Sequence, residues 1–426
     1  LLLIFASLFS PVAAQGETPT VDVLTARGPI TPIIAGYVAR GIHTAEQDGA
    51  ALLVIRLDTP GGSVQVMGDI VRAIDAARVP IVVYVWPSGG RAASAGTLIT
   101  MAAPLAVMAP RTTIGAAHPV GNQGQDIATT ESEKLVNDMV ANIRAHTEHR
   151  GEKAVKWAES AVRQSKSLNA KDALELGVVD DIAPDLPALL NDLDGREVTL
   201  HGETIVLHTA GAATHPIGMT TIEAFLHAIT DPSIAFILMT IGLNGLLFEL
   251  ASPGSYLPGI AGGISLLLAL YAMGVLSVNF SGILFIVMAF ILFIVDVKAA
   301  THGVLTIGGI ISFSLGAMVL FNSPFNAVPI SLILAVALST GGFFAFAVGA
   351  AIRIRRRRPR TGREGLVDKV GHVIEPLAPN GYVFVNGERW SATIDGGGPV
   401  PVGQTVRVQA MEGFRLHVVP IEEQET

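Results

Sequence analysis

Residues 233–352 are almost uncharged and carry one long apolar run after another. Half of the 426 residues are hydrophobic, with a mean hydropathy of +0.52, and the excess is concentrated in this block. So much apolar chain in succession exceeds what an ordinary soluble enzyme buries, and in lipid such backbone must satisfy itself within helices. The block divides into five candidate spans near 233–252, 257–277, 280–297, 303–321 and 329–352. Two of these are short or glycine-rich, so four to six crossings fit the lengths. Arg353, Arg355, Arg356, Arg357, Arg358 and Arg360 follow the last span, and the positive-inside rule assigns that run to the cytoplasm. Asn244 and Glu249 fall inside the first span and read as interhelical hydrogen-bonding groups rather than a functional pathway.

The chain opens on Leu1-Leu2-Leu3-Ile4-Phe5-Ala6-Ser7-Leu8-Phe9 and reaches small residues at Pro11-Val12-Ala13-Ala14-Gln15. This pattern reads as the apolar core and cleavage site of a secretory signal over 1–14, cut after Ala14. An extracytoplasmic N-terminal domain and a cytoplasmic arginine run require an odd number of crossings. Five spans satisfy both and leave Lys298 inside. The location expected is therefore a multi-pass inner-membrane protein with its C-terminal domain in the cytoplasm.

Residues 16–230 alternate strand-like and helix-like segments, the signature of an α/β domain. Ala51 to Leu57 is an apolar run that fits a buried strand ending at Asp58. Val64, Met67, Ile70, Val71 and Ile74 recur at helical spacing behind Ser63, a helix-capping residue. Ile81 to Trp86 and Leu105 to Met108 read as further buried strands, with a short helix from Ala95. Glu131 to Thr147 and Gly151 to Gln164 read as helices, and Asn169 to Asp180 as a helix stopped by Gly177 and followed by a strand. Residues 362–426 return to five short strands, 369–374, 381–385, 388–393, 405–411 and 415–419, separated by Asn-Gly and Gly-rich turns. That spacing fits a small barrel of OB type. These strands lack stacked aromatics and a basic face, and the formal net charge is −8, so nucleic acid is not an expected partner.

Two glycine turns carry the chemistry. Asp58-Thr59-Pro60-Gly61-Gly62-Ser63 closes one apolar strand, and Pro87-Ser88-Gly89-Gly90-Arg91-Ala92-Ala93-Ser94-Ala95-Gly96-Thr97 follows the next. A serine between small residues at a strand-to-helix turn exposes its hydroxyl to a substrate carbonyl, and the helix start aims free backbone N–H groups at the same spot. Close helix packing is the plainer reading of Ala-Ser-Ala-Gly alone. The chain has no cysteine, which excludes cysteine nucleophiles and thiolate metal sites. Serine needs a base, and two compete: Lys134 follows Ser94 by 40 residues and His118 by 24. Lysine acts as a base only where desolvation lowers its pKa. His118 needs an orienting carboxylate, for which Asp180 or Asp181 is the candidate. Gly121 to Asp126, within a loop over 121–133, reads as flexible enough to order on substrate binding.

Taken together, Ile55-Arg56-Leu57-Asp58-Thr59-Pro60-Gly61-Gly62, Pro87 to Thr97, and Thr113-Ile114-Gly115-Ala116-Ala117-His118-Pro119-Val120 resemble the long-form NfeD family. Its members are membrane-bound serine proteases of the ClpP class, related to signal peptide peptidase A. The resemblance implies an α/β ClpP/crotonase-like domain over 16–230, an all-α transmembrane block over 233–352 and a small all-β OB-fold barrel over 362–426. It implies a Ser–Lys dyad, with Ser94 as nucleophile and Lys134, neutral and partly buried, as base. Gly62 and Ala95 match the oxyanion-hole positions. His118 then becomes the alternative base, for a ClpP-like triad. Hydrophobic segments of membrane-associated proteins are the implied substrates, with a stomatin/slipin-like partner and a homo-oligomeric assembly. Neither cofactor nor metal is implied. Two other readings share parts of this pattern: a membrane scaffold with a vestigial protease, and a crotonase-type acyl-CoA enzyme.

Overall fold

The computed structural model describes residues 19–119, 129–251, 254, 256–276, 278–299, 301, 303–321, 328–356, 363–396 and 398–421. The signal-like residues 1–14, residues 121–128 of the loop, and Arg357, Arg358 and Arg360 lie outside them.

The N-terminal part runs β1 (Thr20–Arg27), α1 (Pro32–Gln47), β2 (Leu52–Asp58), α2 (Val64–Asp75), β3 (Ile81–Val85), β4 (Arg91–Ala93), α3 (Ala95–Ala102), β5 (Leu105–Met108), β6 (Thr113–Gly115) and α4 (Thr129–Thr147). It continues with α5 (Glu152–Gln164), β7 (Ser167–Asn169), α6 (Ala170–Glu175), β8 (Asp181–Ile182), α7 (Leu186–Asp192), β9 (Glu197–Leu200), β10 (Glu203–Val206), β11 (Ala213–Pro216) and α8 (Thr221–Ile229). Six strands form one parallel sheet in the order β11-β1-β2-β3-β5-β8. Parallel strands are buried on both faces, which is why Leu52–Leu57 and Ile81–Val85 are apolar without alternation. One face packs on α1 to α5, and the other on α7 and the β9–β10 hairpin. Ser63 caps α2, its side chain accepting from Val66 N, and Val66, Met67, Ile70, Val71 and Ile74 are the buried stripe. Tyr84 carries a hydroxyl into this core and donates it to Ala183 O at 2.8 Å; burial pushes its pKa up to about 12. A second, three-stranded sheet, β4-β6-β7, lies over the strand ends.

Five helices make up the apolar block: α9 (Pro232–Ala251), α10 (Leu257–Val275), α11 (Phe280–Ala299), α12 (Val304–Leu320) and α13 (Ile330–Arg356). Two contain apolar stretches long enough to cross a membrane, Pro232–Leu250 and Leu257–Val275; the other three apolar stretches are no longer than 17 residues. Glycines bring α9 and α10 together. A Cβ on Gly245 would lie 2.6 Å from Pro258 O and 2.9 Å from Gly262 Cα. The interhelical role expected of Asn244 is not what forms: its amide donates to Thr240 O at 2.9 Å, one turn back in the same helix. Glu249 accepts from Gly254 N at 3.2 Å, beyond the helix end. The short asparagine side chain satisfies itself on its own helix more readily than it reaches across a glycine-lined seam.

The C-terminal part holds α14 (Arg363–Leu366), β12 (Val370–Glu375), β13 (Asn380–Val385), β14 (Glu388–Ile394), β15 (Thr405–Glu412) and β16 (Arg415–Pro420). The five strands close into a barrel in the order β12-β13-β14-β16-β15, of OB type, around Val373, Val383, Val385, Ala392, Val406, Leu416 and Val418. Asn386 and Gly387, at φ 53° and 87°, make the two-residue turn that joins β13 to β14. The order expected from the sequence, α/β then all-α then all-β, is the order observed.

Candidate active site

At the C-terminal ends of β2 and β3 the chain makes two sharp turns that meet. Thr59 continues β2 by pairing with β4: Thr59 N donates to Arg91 O at 2.7 Å, and Ala93 N to Thr59 O at 3.1 Å. The Asp58 carboxylate holds the base of both turns, accepting from Arg91 N at 3.1 Å and from Arg27 Nε at 3.2 Å. Gly61 takes φ +114°, and a Cβ there would lie 2.6 Å from Ser94 Cβ. The glycine turn is therefore pressed against the serine, which only a residue without a side chain permits.

Ser94 sits between β4 and α3 at φ 54°, ψ −117°, a strained conformation for a residue with a Cβ. The surroundings hold it there. Ser94 N donates to Gly115 O at 2.9 Å, while the fully buried Thr97 hydroxyl bridges Ala92 O at 3.0 Å and Gly115 O at 2.9 Å and accepts from Gly115 N at 3.1 Å. Thr59 Oγ1 accepts from Gly61 N at 3.0 Å and steadies the other turn. Sequence reading passed over Thr59 and Thr97. Their one signal is a hydroxyl inside an otherwise small and apolar motif. Gly96 supplies the close packing that the plainer reading anticipated: a Cβ there would lie 2.5 Å from Thr59 Cγ2.

Gly62 and Ala95 lie in the two turns that meet at Ser94. Ile30 bridges to the Gly61–Ser63 segment through Gly61 O and Ser63 N. In a parallel bridge that pattern turns the intervening Gly62 N–H to the other side. Ala95 opens α3, where N–H groups have no acceptor one turn back. Among the described residues neither Gly62 N nor Ala95 N makes a backbone hydrogen bond outside regular elements. Ser94 itself is half-buried. Such an arrangement can present a hydroxyl to a carbonyl carbon and two donors to its oxygen.

The candidate bases are arranged differently. His118 is half-buried, its Nδ1 2.9 Å from Val162 O. Asp180 does not orient it: that carboxylate accepts from Arg150 at 2.6 Å and from Ala106 N at 2.7 Å, and Asp181 turns back onto Ile182 N. Lys134 lies on α4, which packs against α3, the helix that Ser94 opens. It is exposed, where partial burial was expected, and makes no hydrogen bond to Ser94 among the described residues. The reason is helical phase. Val136, Met139, Val140 and Ile143 turn into the core, and position 134 lies on nearly the opposite side of the helix. Among the described residues, no three histidine or carboxylate side chains come together as a metal site would require.

Family models match three consecutive segments: the NfeD1b N-terminal domain over residues 20–201, the NfeD integral membrane domain over 233–350, and the NfeD-like C-terminal, partner-binding domain over 363–420. The chain is 34% identical over 430 residues to the membrane-bound protease PH1510 of Pyrococcus horikoshii, covering 98% of this chain and 96% of that protein. It is 27% identical over 436 residues to the membrane protein NfeD1b of Bacillus subtilis, covering 95% and 94%. Among solved structures it is similar to a lysine-to-alanine mutant of the 1510-N membrane-bound stomatin-specific protease in complex with a substrate peptide. That match has 30% identity, 50% of this chain, 99% of the other and a TM-score of 0.47. With a relative at 34% identity along nearly its whole length and models matched in all three parts, the chain is a membrane protein of the NfeD family.

Proposed function

We propose that this protein is a membrane-anchored serine endopeptidase that cleaves hydrophobic segments of membrane-associated proteins, with a stomatin/slipin-like protein as partner and substrate. The observation that carries the reading is the Ser94 turn, strained at φ 54° and packed against Gly61, beside Gly62 and Ala95, whose N–H groups make no backbone hydrogen bond outside regular elements among the described residues. Ser94 Oγ attacks the scissile carbonyl carbon and gives its proton to neutral Lys134. The carbonyl oxygen gains negative charge and takes hydrogen bonds from Gly62 N and Ala95 N. Lys134 then returns the proton to the leaving amine, and water hydrolyses the acyl-enzyme by the same route. Acyl transfer of this kind balances without ATP.

An exposed lysine is a poor base at neutral pH, so the dyad requires that α4 be covered when the enzyme works. A bound apolar substrate, or a second copy in a homo-oligomer, supplies that cover. The match of residues 363–420 to an NfeD-like C-terminal, partner-binding domain and the stomatin specificity of the similar archaeal protease support the assignment of partner. In this reading the catalytic domain spans 16–230, the membrane block 233–352 with five crossings, and the barrel 362–426. The catalytic domain lies outside the cytoplasm and the barrel inside.

The exposure of Lys134 also favours a second reading, a membrane scaffold with a vestigial protease. One experiment separates the two: hydrolysis of an apolar peptide by the full chain in detergent, beside Ser94→Ala, Lys134→Ala and His118→Ala. The dyad predicts a loss of about 10³-fold or more for the first two and near-normal turnover for the third. Loss with His118→Ala and not Lys134→Ala would move the base to the histidine. Turnover unaffected by Ser94→Ala would sink the protease reading.

A further inference from the structure

The last helix before the membrane block, α8, is built inside out. A helix lying on a soluble domain turns its apolar face inward and its charges to water. In α8 both ionisable side chains turn toward the protein. Glu223 accepts from Arg40 of α1 through Nε at 2.9 Å and Nη2 at 2.6 Å, and Arg40 also donates to Gly218 O at 2.9 Å. The His227 ring lies over Gly28, with Cε1 3.6 Å from where a Cβ would stand. The outward face consists of Thr221, Ile222, Ala224, Phe225 and Ala228, all exposed and none charged. Ile222 is 72% exposed and Phe225 51%. In water that face is a liability, while at a lipid interface it is what an amphipathic helix offers.

Position in the chain identifies the occupant. Only Thr230 and Asp231 separate α8 from α9, and Asp231 caps α9 by accepting from Ser233 N at 2.8 Å and Ile234 N at 3.2 Å. The apolar surface therefore continues without a linker into a membrane-spanning stretch, Pro232–Leu250. On the other side there is no slack either. β11 is paired along β1, Ile217 N donates to Val23 O at 2.8 Å, and the Tyr37 hydroxyl donates to Ile217 O at 2.6 Å.

We propose that α8 is an interfacial helix: Ile222 and Phe225 insert at the boundary between lipid headgroups and acyl chains, while the Arg40–Glu223 pair bolts the opposite face to the catalytic domain. The domain is then held on the bilayer surface in one orientation and does not swing on a tether. This rests on the membrane block and is independent of the catalytic assignment.

The absence of cysteine makes the test direct, since one introduced thiol is the only one. Phe225→Cys carries a nitroxide label in the full chain reconstituted into phosphatidylcholine–phosphatidylglycerol vesicles, with exposed Glu203→Cys on β10 as the aqueous control. At 225 collisions with lipid-dissolved oxygen should exceed those with a water-soluble nickel chelate several-fold, and at 203 the ratio should reverse. Ile222→Cys should repeat the result at 225, so that a defect peculiar to one variant does not decide the matter. Free access of the nickel chelate at 222 and 225 would overturn the proposal. Protection from both probes, with dipolar broadening between labels, would overturn it in favour of a contact between two copies.

Discussion

Thr97 is the residue on which the strained serine turn most depends, and Thr97→Val tests this cleanly. Valine is nearly isosteric with threonine, so the effect lies in the lost hydroxyl and the polar groups it leaves unpaired. That hydroxyl is fully buried, donates toward Ala92 O and Gly115 O, and accepts from Gly115 N at 3.1 Å. Gly115 O keeps its bond from Ser94 N at 2.9 Å, so it is not orphaned. Each lost bond is worth about 0.5–1.5 kcal/mol net, and the two together about 1–3 kcal/mol. For a domain of this size that lowers the melting temperature by about 2–4 °C per kcal/mol. Because Gly115 O also positions Ser94 N, the same slackening should reduce kcat about tenfold or more and leave KM for an apolar peptide nearly unchanged. The assay is thermal unfolding and peptide hydrolysis of wild type, Thr97→Val and Thr97→Ser in one detergent, the serine variant restoring the hydroxyl. A valine variant with unchanged melting and kcat would refute the reasoning. So would a serine variant no better than valine.

Gly61→Ala places a side chain at φ +114° and 2.6 Å from Ser94 Cβ, so a stability loss of about 1–3 kcal/mol and near-complete loss of turnover are expected from denaturation and peptide assays. The Arg40 guanidinium holds the Glu223 carboxyl down at about 2, below its ordinary 4.5. A depressed carboxylate contributes stability that is complete above about pH 4.5 and lost as pH falls from there toward 2. With side chains 34% and 20% exposed, screening reduces the effect to about 1–2 kcal/mol. Wild type should accordingly lose more melting temperature between pH 6 and pH 3 than Glu223→Gln does; equal losses would show that the pair contributes nothing.

Much of this protein was legible in its sequence because much of it is encoded between near neighbours. Val66, Met67, Ile70, Val71 and Ile74 announce a helix by spacing alone, and Ile81–Val85 a strand buried on both faces. Asn386-Gly387 announces a hairpin because few other pairs accept positive φ at both positions. The nearly uncharged block reads as apolar helices, and the order of the three parts followed. Ser94 was found because small residues around a serine are visible locally. The tertiary structure decided everything that depends on which distant surfaces meet. Thr97 reads as an ordinary helix residue until Gly115 arrives from another strand. His118 turns to Val162 because α5 ends beside it, and Asp180 is taken by Arg150. Lys134 is exposed because the apolar stripe of α4 sets its rotation. Arg40 and Glu223 are 183 residues apart, and only their meeting reveals that α8 turns its charges inward. Periodicity specifies an element and the width of its apolar face, whereas the partner each face receives is chosen by the packing of the whole chain.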